Sequence, residues 1–227
     1  MPIKHIFFDL DHTLWDFEKN SAKAYHACFI KYNIGIDLNV FLEAYSPINK
    51  KYWKLYREDK VTKNDLKYGR LKEAFDLVNH SISKETILNI ADEYLDYLPQ
   101  FNSLFEGSVE ILDYLKPKYK LHIITNGFSE IQHTKLKTSR IYDYFTQIIT
   151  SESVGVKKPN PKVFRFALKK ANAIARESFM VGDNLEADII GSENVGMQAI
   201  LFNPDKARSP IRHKNEISHL NEIKKYL

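Results

Sequence analysis

Cysteine is almost absent from this sequence, since Cys28 is the one thiol among 227 residues. A single cysteine excludes an internal disulfide, and there is no group of cysteines to hold zinc. The sequence also lacks any apolar run near the roughly 20 residues that a membrane span needs, and Asp9 interrupts the apolar start of the chain. We therefore expect no membrane span and no secretory signal, and a reducing cytoplasm is the expected location.

The sequence has little excess of charge of either sign, because 33 Lys and Arg residues are nearly balanced by 29 Asp and Glu residues. The net charge is +4. The densest basic stretch, residues 208–214, contains Pro210 and is predicted to form a solvated loop. A basic stripe with interleaved aromatics, as nucleic-acid surfaces usually present, is missing. We expect no nucleic acid polymer and no membrane among the partners of this protein. The hydrophobic fraction of 44% excludes a disordered or collagen-like chain.

Short apolar runs alternate with helical patterns along much of the chain. The runs are rich in Ile, Val and Phe and lie at residues 3–10, 121–125, 147–150, 179–181 and 199–202. Runs of this kind are typical of strands buried on both faces of a sheet. One helical pattern follows Asn160, a suitable N-cap, and Pro161, which favours a first helical turn. Strands that alternate with helices predict a parallel sheet of the Rossmann-like α/β class.

Residues 16–105 differ, because helical patterns fill these positions and no convincing strand is visible. Ser83 is placed to cap one helix, and Thr62 followed by Asp65 is typical of the start of another. We expect a helical cap domain at 16–105. It would be inserted after the first strand into a Rossmann-like core formed by residues 1–15 and 106–227.

Two carboxylates, Asp9 and Asp11, follow the first predicted strand. Ligands of open α/β sheets bind beyond the carboxyl ends of the strands, so both side chains can point toward one site. Burying two neighbouring negative charges is costly, and a shared proton or a cation is the usual compensation. The alternative is a polar turn in which Asp11 caps a helix.

Later segments also place polar residues where predicted strands end. Thr125, Asn126 and Gly127 lead into a helix that begins near Ser129, and the free N–H groups of such a helix end attract phosphate. An ordinary turn is the alternative for these three residues. Lys158 precedes a proline, which restricts it to extended backbone, and its ammonium can neutralise a phosphoryl oxygen or an aspartate. Its alternative is an exposed lysine in a loop.

The last such segment begins at Gly182 and opens a helix that we expect to end near Gly196. Asp183 lies at the strand end, where a carboxylate is a good ligand for a hard cation such as Mg²⁺. Asp188 lies one helical turn further on and can orient Asp183, a metal-bound water or Lys158. The alternative for Asp188 is an acid in the first turn that the helix dipole favours.

Taken in this order, the four segments resemble those of the haloacid dehalogenase-like (HAD) hydrolase superfamily. The matching positions are residues 9–13, Thr125, Lys158 and residues 182–188, and the resemblance covers essentially the whole chain. It implies a Rossmann-like core, a phosphatase that forms an aspartyl-phosphate, and Mg²⁺ as the cofactor. Dehalogenation is disfavoured, because the dehalogenase members lack the acid that stands here as Asp11.

The resemblance also implies a role for each matching residue. Asp9 would be the nucleophile, and Asp11 would protonate the leaving alcohol and then activate water. Mg²⁺ is expected on Asp9, the backbone carbonyl of Asp11, and Asp183. The phosphate is expected to contact Leu10, Asp11, Thr125, Asn126, Gly127 and Lys158. Supporting contacts around these residues are expected from Thr13, Asn184 and Asp188.

A narrower likeness points to the YjjG-type pyrimidine 5′-nucleotidase branch of this superfamily. It rests on residues 14–17, 125–132, 135–136, 144–145, 151–152 and 154–155. It implies a small-molecule phosphomonoester as substrate, a nucleoside 5′-monophosphate, bound by a monomer or homodimer. A sugar-phosphate or phosphoglycolate phosphatase is the alternative within the superfamily. A phospho-accepting signalling module is the alternative from another class, but such modules lack a helical insertion of this length.

Substrate choice is expected to lie in the cap. Trp15 is expected to pack on a ring of the substrate or, alternatively, to anchor the cap to the sheet. Arg70 is expected to reach the site from the cap or, alternatively, to form a surface ion pair.

Overall fold

The protein divides into two compact units in the computed structural model, which describes residues 2–205 and 212–227. The first unit consists of the residues up to Phe17 together with Asn102–Leu227, and the second is Glu18–Phe101. The predicted insertion at 16–105 has its boundaries near those of the second unit. Residues 208–211 of the predicted solvated loop lie outside the described residues.

A six-stranded parallel sheet forms the centre of the first unit. Its strands are β1 (His5–Phe8), β2 (Lys120–Thr125), β3 (Phe145–Thr150), β4 (Ser178–Gly182), β5 (Gln198–Phe202) and β6 (Glu216–Ile217). The spatial order β3-β2-β1-β4-β5-β6 is that of a Rossmann-like sheet, so the predicted fold class is confirmed. β6 was not predicted, because a strand of two residues is too short to show a periodic pattern.

The second unit is built from helices packed around aromatic side chains. Its helices are α1 (Phe17–Lys31), α2 (Leu38–Arg57), α3 (Lys63–Leu77) and α4 (Lys84–Tyr97), followed by a 3₁₀ turn at Leu98–Gln100. The predicted starts of α3 and α4 are confirmed, because Thr62 and Asp65 form a capping box and Ser83 accepts the N–H of Thr86. The buried rings at its centre belong to Tyr25, Phe29, Phe41, Tyr45, Phe75 and Tyr94.

The helices of the first unit follow its strands along the chain. They are α5 (Ser108–Leu115), α6 (Ser129–Thr138), α7 (Ser151–Val154), α8 (Pro161–Ala171), a π-helical turn at Leu185–Ile190, and α9 (Gly191–Glu193). Segments of 3₁₀ helix lie at Tyr142–Tyr144, Ala175–Glu177 and Leu220–Lys225. α8 begins as predicted, with Asn160 as its N-cap and Pro161 in its first turn, and its Phe164 belongs to the same buried core as Phe7 and Met180. Within the described residues, no helix combines the length and the apolar content that a membrane span requires.

Parallel pairing brings the ends of three strands to one edge of the sheet. Phe8, the last residue of β1, pairs with Ile123 in β2 and with Val181 in β4. The strand order reverses beside β1, and open α/β sheets bind ligands beyond the carboxyl ends of the strands at such a point. The residues that follow β1, β2 and β4 are therefore expected to share one site.

Two histidines are buried together in this sheet. Nδ1 of His5 lies 3.0 Å from Nε2 of His122, and Nδ1 of His122 lies 3.0 Å from the hydroxyl of Thr146. Burial, reinforced by His5 and Lys120, lowers the pKa of His122 from its ordinary value of 6.5 to about 3. The pKa of His5 is lowered as well, chiefly by burial. Both rings are therefore neutral in the folded protein at neutral pH.

We expect the protein to lose stability as the pH falls below 6.5, because the unfolded chain then binds protons that the folded chain excludes from His122. For this residue the loss between pH 7.5 and pH 5.0 amounts to about 2 kcal/mol of the free energy of unfolding. The His122→Gln variant should lose about 2 kcal/mol less than the wild type over the same range, as measured by urea denaturation.

The matched control is His133→Gln, which changes an exposed histidine of α6 in the same way. We expect this variant to keep the wild-type dependence of stability on pH. If the His122→Gln variant and the wild type lost equal stability between the two pH values, the buried histidine would not be the cause.

Candidate active site

Lys158 lies at the centre of a buried cluster of charges beyond the ends of β1 and β4. Its ammonium donates to Asp9 Oδ1 at 2.6 Å and to the carbonyl oxygen of Ile124 at 2.8 Å, and it lies 2.6 Å from Asp188 Oδ1. Lys158 is 2% exposed, so the alternative of an exposed lysine in a loop is wrong. The ammonium therefore donates two hydrogen bonds and forms an ion pair with Asp188, and these contacts offset the cost of desolvating the cation.

The ionisation of these groups is governed by burial and by their neighbours. Burial opposes the charge of Lys158, but the carboxylates of Asp188 and Asp9 outweigh it and raise the pKa of Lys158. Burial raises the pKa of Asp9 well above its ordinary value, against the effect of the Lys158 ammonium. Burial, with the nearby Asp188 carboxylate, also raises the pKa of Asp183 to about 7. The three carboxyl groups of Asp9, Asp183 and Asp188 share one ammonium, that of Lys158. A bound cation would therefore favour the ionised forms of the carboxyl groups.

Asp9, Asp183 and Asp188 form an acidic group that fits a divalent cation. One carboxylate oxygen from each residue lies within 4.8 Å of the other two. Mg²⁺ prefers oxygen ligands and usually takes one or two carboxylates together with waters and substrate phosphate. The raised pKa of Asp183 supports the fit, because a cation would offset the burial and the repulsion that cause the shift.

Of the predicted supporting residues, Thr13 and Asn184 contact this acidic group, and Asp188 belongs to it. Thr13 Oγ1 donates to Asp183 Oδ1 at 3.5 Å, a long hydrogen bond, and the backbone N–H of Asn184 donates to Asp188 Oδ2 at 3.0 Å. Gly182 allows Asp188 to approach, since a Cβ at this position would lie 2.5 Å from Asp188 Cγ. Both interpretations of Asp188 apply, because it contacts Lys158 and also lies in the first helical turn after β4.

The backbone around Lys158 is held by the side chain of Asn126. Oδ1 of Asn126 accepts the backbone N–H of Lys158 at 2.9 Å, and Nδ2 donates to the carbonyl oxygen of Lys158 at 3.0 Å. The peptide bond between Lys158 and Pro159 is cis. Asn126 thus positions Lys158, and its expected contact with a phosphate stays a prediction.

Asp11 belongs to a second ion pair that the sequence analysis missed. Lys135 Nζ donates to Asp11 Oδ1 at 2.7 Å, and Gln132 Nε2 donates to Asp11 Oδ2 at 3.1 Å. Lys135 is 1% exposed, and burial lowers its pKa against the effect of Asp11. Gln132 and Lys135 lie three positions apart on one face of α6. Their placement beside the apolar Ile131 and Leu136 is the signal that could have revealed them as buried residues.

The predicted phosphate-binding segment connects β2 to α6. Oγ1 of Thr125 accepts the backbone N–H of Gly127 at 3.0 Å and the side-chain N–H of Gln132 at 3.2 Å. A Cβ on Gly127 would overlap the Gln132 amide, so the glycine leaves the room that Gln132 needs to reach Asp11. The expected phosphate contacts of Thr125 and Gly127 remain predictions.

Leu10 and Trp15 are both fully buried. The carbonyl oxygen of Leu10 accepts the backbone N–H of Trp15 at 2.9 Å, and Lys135 Nζ lies 4.3 Å from the centre of a Trp15 ring. Complete burial is typical of a core residue. The expected substrate contact of Trp15 and the expected phosphate contact of Leu10 therefore stay predictions.

Arg70 belongs to the second unit and is 2% exposed. Its Nη1 donates to Asn49 Oδ1 at 2.8 Å, and its guanidinium carbon lies 5.7 Å from the ring centre of Tyr45 and 5.4 Å from that of Tyr94. The alternative of a surface ion pair is wrong, because Arg70 is buried. Its expected contact with a substrate remains a prediction.

Known proteins resemble this chain over nearly its whole length. Residues 6–202 match the family described as haloacid dehalogenase-like hydrolase. The chain is 33% identical to the pyrimidine 5′-nucleotidase YjjG of Escherichia coli, across 98% of this chain and 96% of that protein. It is 32% identical to a glyceraldehyde 3-phosphate phosphatase of Methanothermobacter thermautotrophicus, across 97% of this chain and 99% of that one.

A solved structure supports the same relationship. Bacillus subtilis YfnB, determined with bound magnesium, superposes with a TM-score of 0.89 at 26% identity, and the match covers 100% of this chain and 99% of that one. The fold and the site define an α/β enzyme with its polar groups at the carboxyl end of a parallel sheet. The chain belongs to the haloacid dehalogenase-like hydrolase family. The predicted class of enzyme, a phosphomonoester hydrolase, is confirmed with it.

We expect the Gly182→Ala variant to have a free energy of unfolding lower by about 1–3 kcal/mol, the usual cost of overpacking a filled interior. The added methyl group would lie 2.5 Å from Asp188 Cγ. Asp188 cannot move away without breaking its contacts with Lys158 and Asn184. Urea denaturation at neutral pH measures the effect.

The matched control is Gly35→Ala, because a Cβ on Gly35 would meet nothing within 4 Å. This variant should be as stable as the wild type or slightly more stable, since alanine restricts the unfolded chain. Equal stabilities of the two variants would contradict the close approach of Gly182 and Asp188.

Proposed function

We propose that this protein is a Mg²⁺-dependent phosphatase that hydrolyses small phosphomonoesters through an aspartyl-phosphate on Asp9. The observation that carries the proposal is the placement of Asp9 beyond the central strand. Its carboxylate lies 2.6 Å from the Lys158 ammonium and in one acidic group with Asp183. Membership of a hydrolase family supports the same class of reaction.

Asp9 and Asp11 divide the first step between them. A carboxylate oxygen of Asp9 forms a bond to phosphorus while the bond from phosphorus to the ester oxygen breaks. The leaving oxygen takes a proton from Asp11, so the alcohol departs as a neutral molecule. Asp11 is suited to this exchange because its side chain remains 19% exposed, whereas that of Asp9 is 11% exposed.

The second step returns the enzyme to its starting state. Asp11 takes a proton from a water molecule whose oxygen attacks phosphorus. The bond between phosphorus and Asp9 then breaks, which releases inorganic phosphate and restores the Asp9 carboxylate. Each turnover therefore consumes one ester and one water and leaves both carboxyl groups unchanged.

Lys158 supplies fixed positive charge beside the nucleophile. Its ammonium reduces the repulsion between the Asp9 carboxylate and an anionic phosphate, and it stabilises the oxygens on which charge concentrates during transfer. Asp188 and the carbonyl oxygen of Ile124 hold the ammonium in place. The hydroxyl of Thr125, at the end of the neighbouring strand β2, is proposed as a further phosphate ligand.

Asp9, Asp183 and the backbone carbonyl of Asp11 would hold the Mg²⁺. When bound, the ion supplies positive charge between the carboxylates and the phosphate and polarises the phosphoryl oxygens. Thr13 is proposed to orient Asp183 through its hydroxyl, and Asn184 to orient Asp188 through its backbone N–H.

We infer that the preferred substrate is a nucleoside 5′-monophosphate with a pyrimidine base. Support comes from the nucleotidase of Escherichia coli, which matches nearly the full length of the chain. The residues that carry this likeness include Gln132 and Lys135, and both contact Asp11. The inserted residues 16–105 are proposed to act as a cap that selects the leaving group.

A triose-phosphate phosphatase is the second candidate. The relative named glyceraldehyde 3-phosphate phosphatase is almost as similar to this chain as the nucleotidase, and it also matches nearly the full length. The two candidates share the proposed chemistry at phosphorus and differ in the alcohol that leaves. A phospho-accepting signalling module is not supported, because the family is one of hydrolases.

The proposed function is tested by phosphate release from nucleoside 5′-monophosphates, glyceraldehyde 3-phosphate and phosphoglycolate, with Mg²⁺ and after chelation. We expect the highest kcat/KM with pyrimidine nucleotides and no turnover after chelation. The Asp9→Asn variant should lose at least about a thousandfold in kcat, because an amide is a poor nucleophile toward phosphorus.

Asp143→Asn is the matched control, since it removes an exposed carboxylate of the first unit and should leave activity unchanged. Full activity of the Asp9→Asn variant, with deamidation excluded by mass spectrometry, would refute the assignment of the nucleophile. A preference for glyceraldehyde 3-phosphate would favour the second candidate.

Mg²⁺ should also stabilise the folded protein in the absence of substrate. At a hundredfold excess over its dissociation constant, the ion adds about 2.7 kcal/mol, or roughly 5–10 °C in Tm for a chain of this size. The Asp183→Asn variant should lose this shift because it lacks a ligand, whereas Asp143→Asn should keep it. Differential scanning fluorimetry measures both, and an undiminished shift in Asp183→Asn would place the ion elsewhere.

A further inference from the structure

Lys135 is a second buried cation beside the site, and the proposed reaction gives it no part. It lies within α6 (Ser129–Thr138), and its side chain is 1% exposed. Removing an ammonium from water is costly, so a buried lysine is retained only beside compensating groups. The compensating charge here is the carboxylate of Asp11, 2.7 Å away.

Each carboxylate oxygen of Asp11 has its own donor from this helix. Lys135 Nζ donates to Oδ1 at 2.7 Å, and Gln132 Nε2 donates to Oδ2 at 3.1 Å. One donor would leave the carboxyl group free to rotate about its contact. Two donors on two oxygens fix both the position and the plane of the group.

Aromatic rings enclose the ammonium of Lys135. It lies 4.3 Å from the centre of a Trp15 ring and 5.6 Å from that of Phe17. The faces of such rings attract a cation, and they keep away the water and salt that screen exposed ion pairs. The contact between Lys135 and Asp11 is therefore a fixed part of the site.

We propose that Lys135 is a positioning residue that, together with Gln132, holds the Asp11 carboxyl group in the orientation required for proton transfer to the leaving group. This inference rests on the proposed function, because it needs Asp11 as the acid of a phosphatase. Lys135 itself transfers no proton. Its ammonium lies beside the carboxylate that remains once Asp11 has given its proton to the ester oxygen.

The effect of such a positioning residue on the rate depends on how strongly the leaving group requires protonation. An alkoxide such as the 5′-oxygen of a nucleoside is a poor leaving group and requires protonation. The p-nitrophenolate ion is stable in water and leaves without protonation. The residue that orients the acid should therefore matter for a nucleotide and matter little for p-nitrophenyl phosphate.

The test compares kcat/KM of the Lys135→Met variant for the two esters, because this constant reports only the steps up to departure of the leaving group. Methionine keeps much of the buried stem and removes the charge. We expect a loss of at least about tenfold with the nucleoside 5′-monophosphate, within the range of general acid catalysis, and of no more than about twofold with p-nitrophenyl phosphate. Asp11→Asn should show the same selectivity with a larger loss.

Lys137→Met is the matched control, since it makes the same change at an exposed position of α6 and should leave both constants unchanged. Gln132→Met removes the other donor without leaving a charge unpaired and should show a smaller loss of the same selectivity. The Tm of Lys135→Met shows whether that variant folds. If it does not fold, the comparison of the two esters is made with Gln132→Met.

The possible failures are distinguishable. Equal losses with both esters in Lys135→Met and Gln132→Met, alongside a selective loss in Asp11→Asn, would overturn the positioning role and leave the phosphatase standing. A wild-type protein that hydrolyses neither ester in the presence of Mg²⁺ would overturn the proposed function, and this inference with it.

Discussion

The structure depends on one buried interaction, the Lys158 ammonium held between the carboxylates of Asp9 and Asp188. Desolvating three charged groups costs several kcal/mol for each, and two hydrogen bonds and an ion pair made by the ammonium offset this cost. The three partners of the ammonium come from three neighbouring strands or from the residues that follow them. The reversal of strand order beside β1 brings these strand ends together, so the ion cluster depends on the topology of the sheet.

Two carboxylates that lie two residues apart in the sequence have different partners. Asp9 is bound to Lys158 at the carboxyl end of the sheet, whereas Asp11 is bound to Lys135 and Gln132 from α6. Enzymes assign different roles to paired carboxylates by giving them different environments. In the proposed reaction, the more deeply buried Asp9 attacks phosphorus, and the more exposed Asp11 exchanges protons with the leaving group and with water.

Much of the fold and part of the site can be predicted from the sequence, for a physical reason. Short runs of Ile, Val and Phe mark strands buried on both faces, and polar residues directly after them, such as Asp9 and Asp183, stand out against these runs. The contact between Lys135 and Asp11 joins residues 124 positions apart and depends on how α6 packs, which no local pattern reveals. The burial of Arg70 escapes prediction for the same reason, whereas the strand β6 escapes it because two residues are too few to show a periodic pattern.

The central claim is that the acids beyond β1 and β4 and the ammonium of Lys158 form one site for a divalent ion and a phosphate. The most direct test is a crystal structure of the protein grown with Mg²⁺ and orthovanadate. The account predicts the ion on Asp9 and Asp183, with the vanadium next to Asp9 and its oxygens in contact with Lys158 and Thr125. An ion bound away from these carboxylates, or a vanadate that does not approach Asp9, would contradict it.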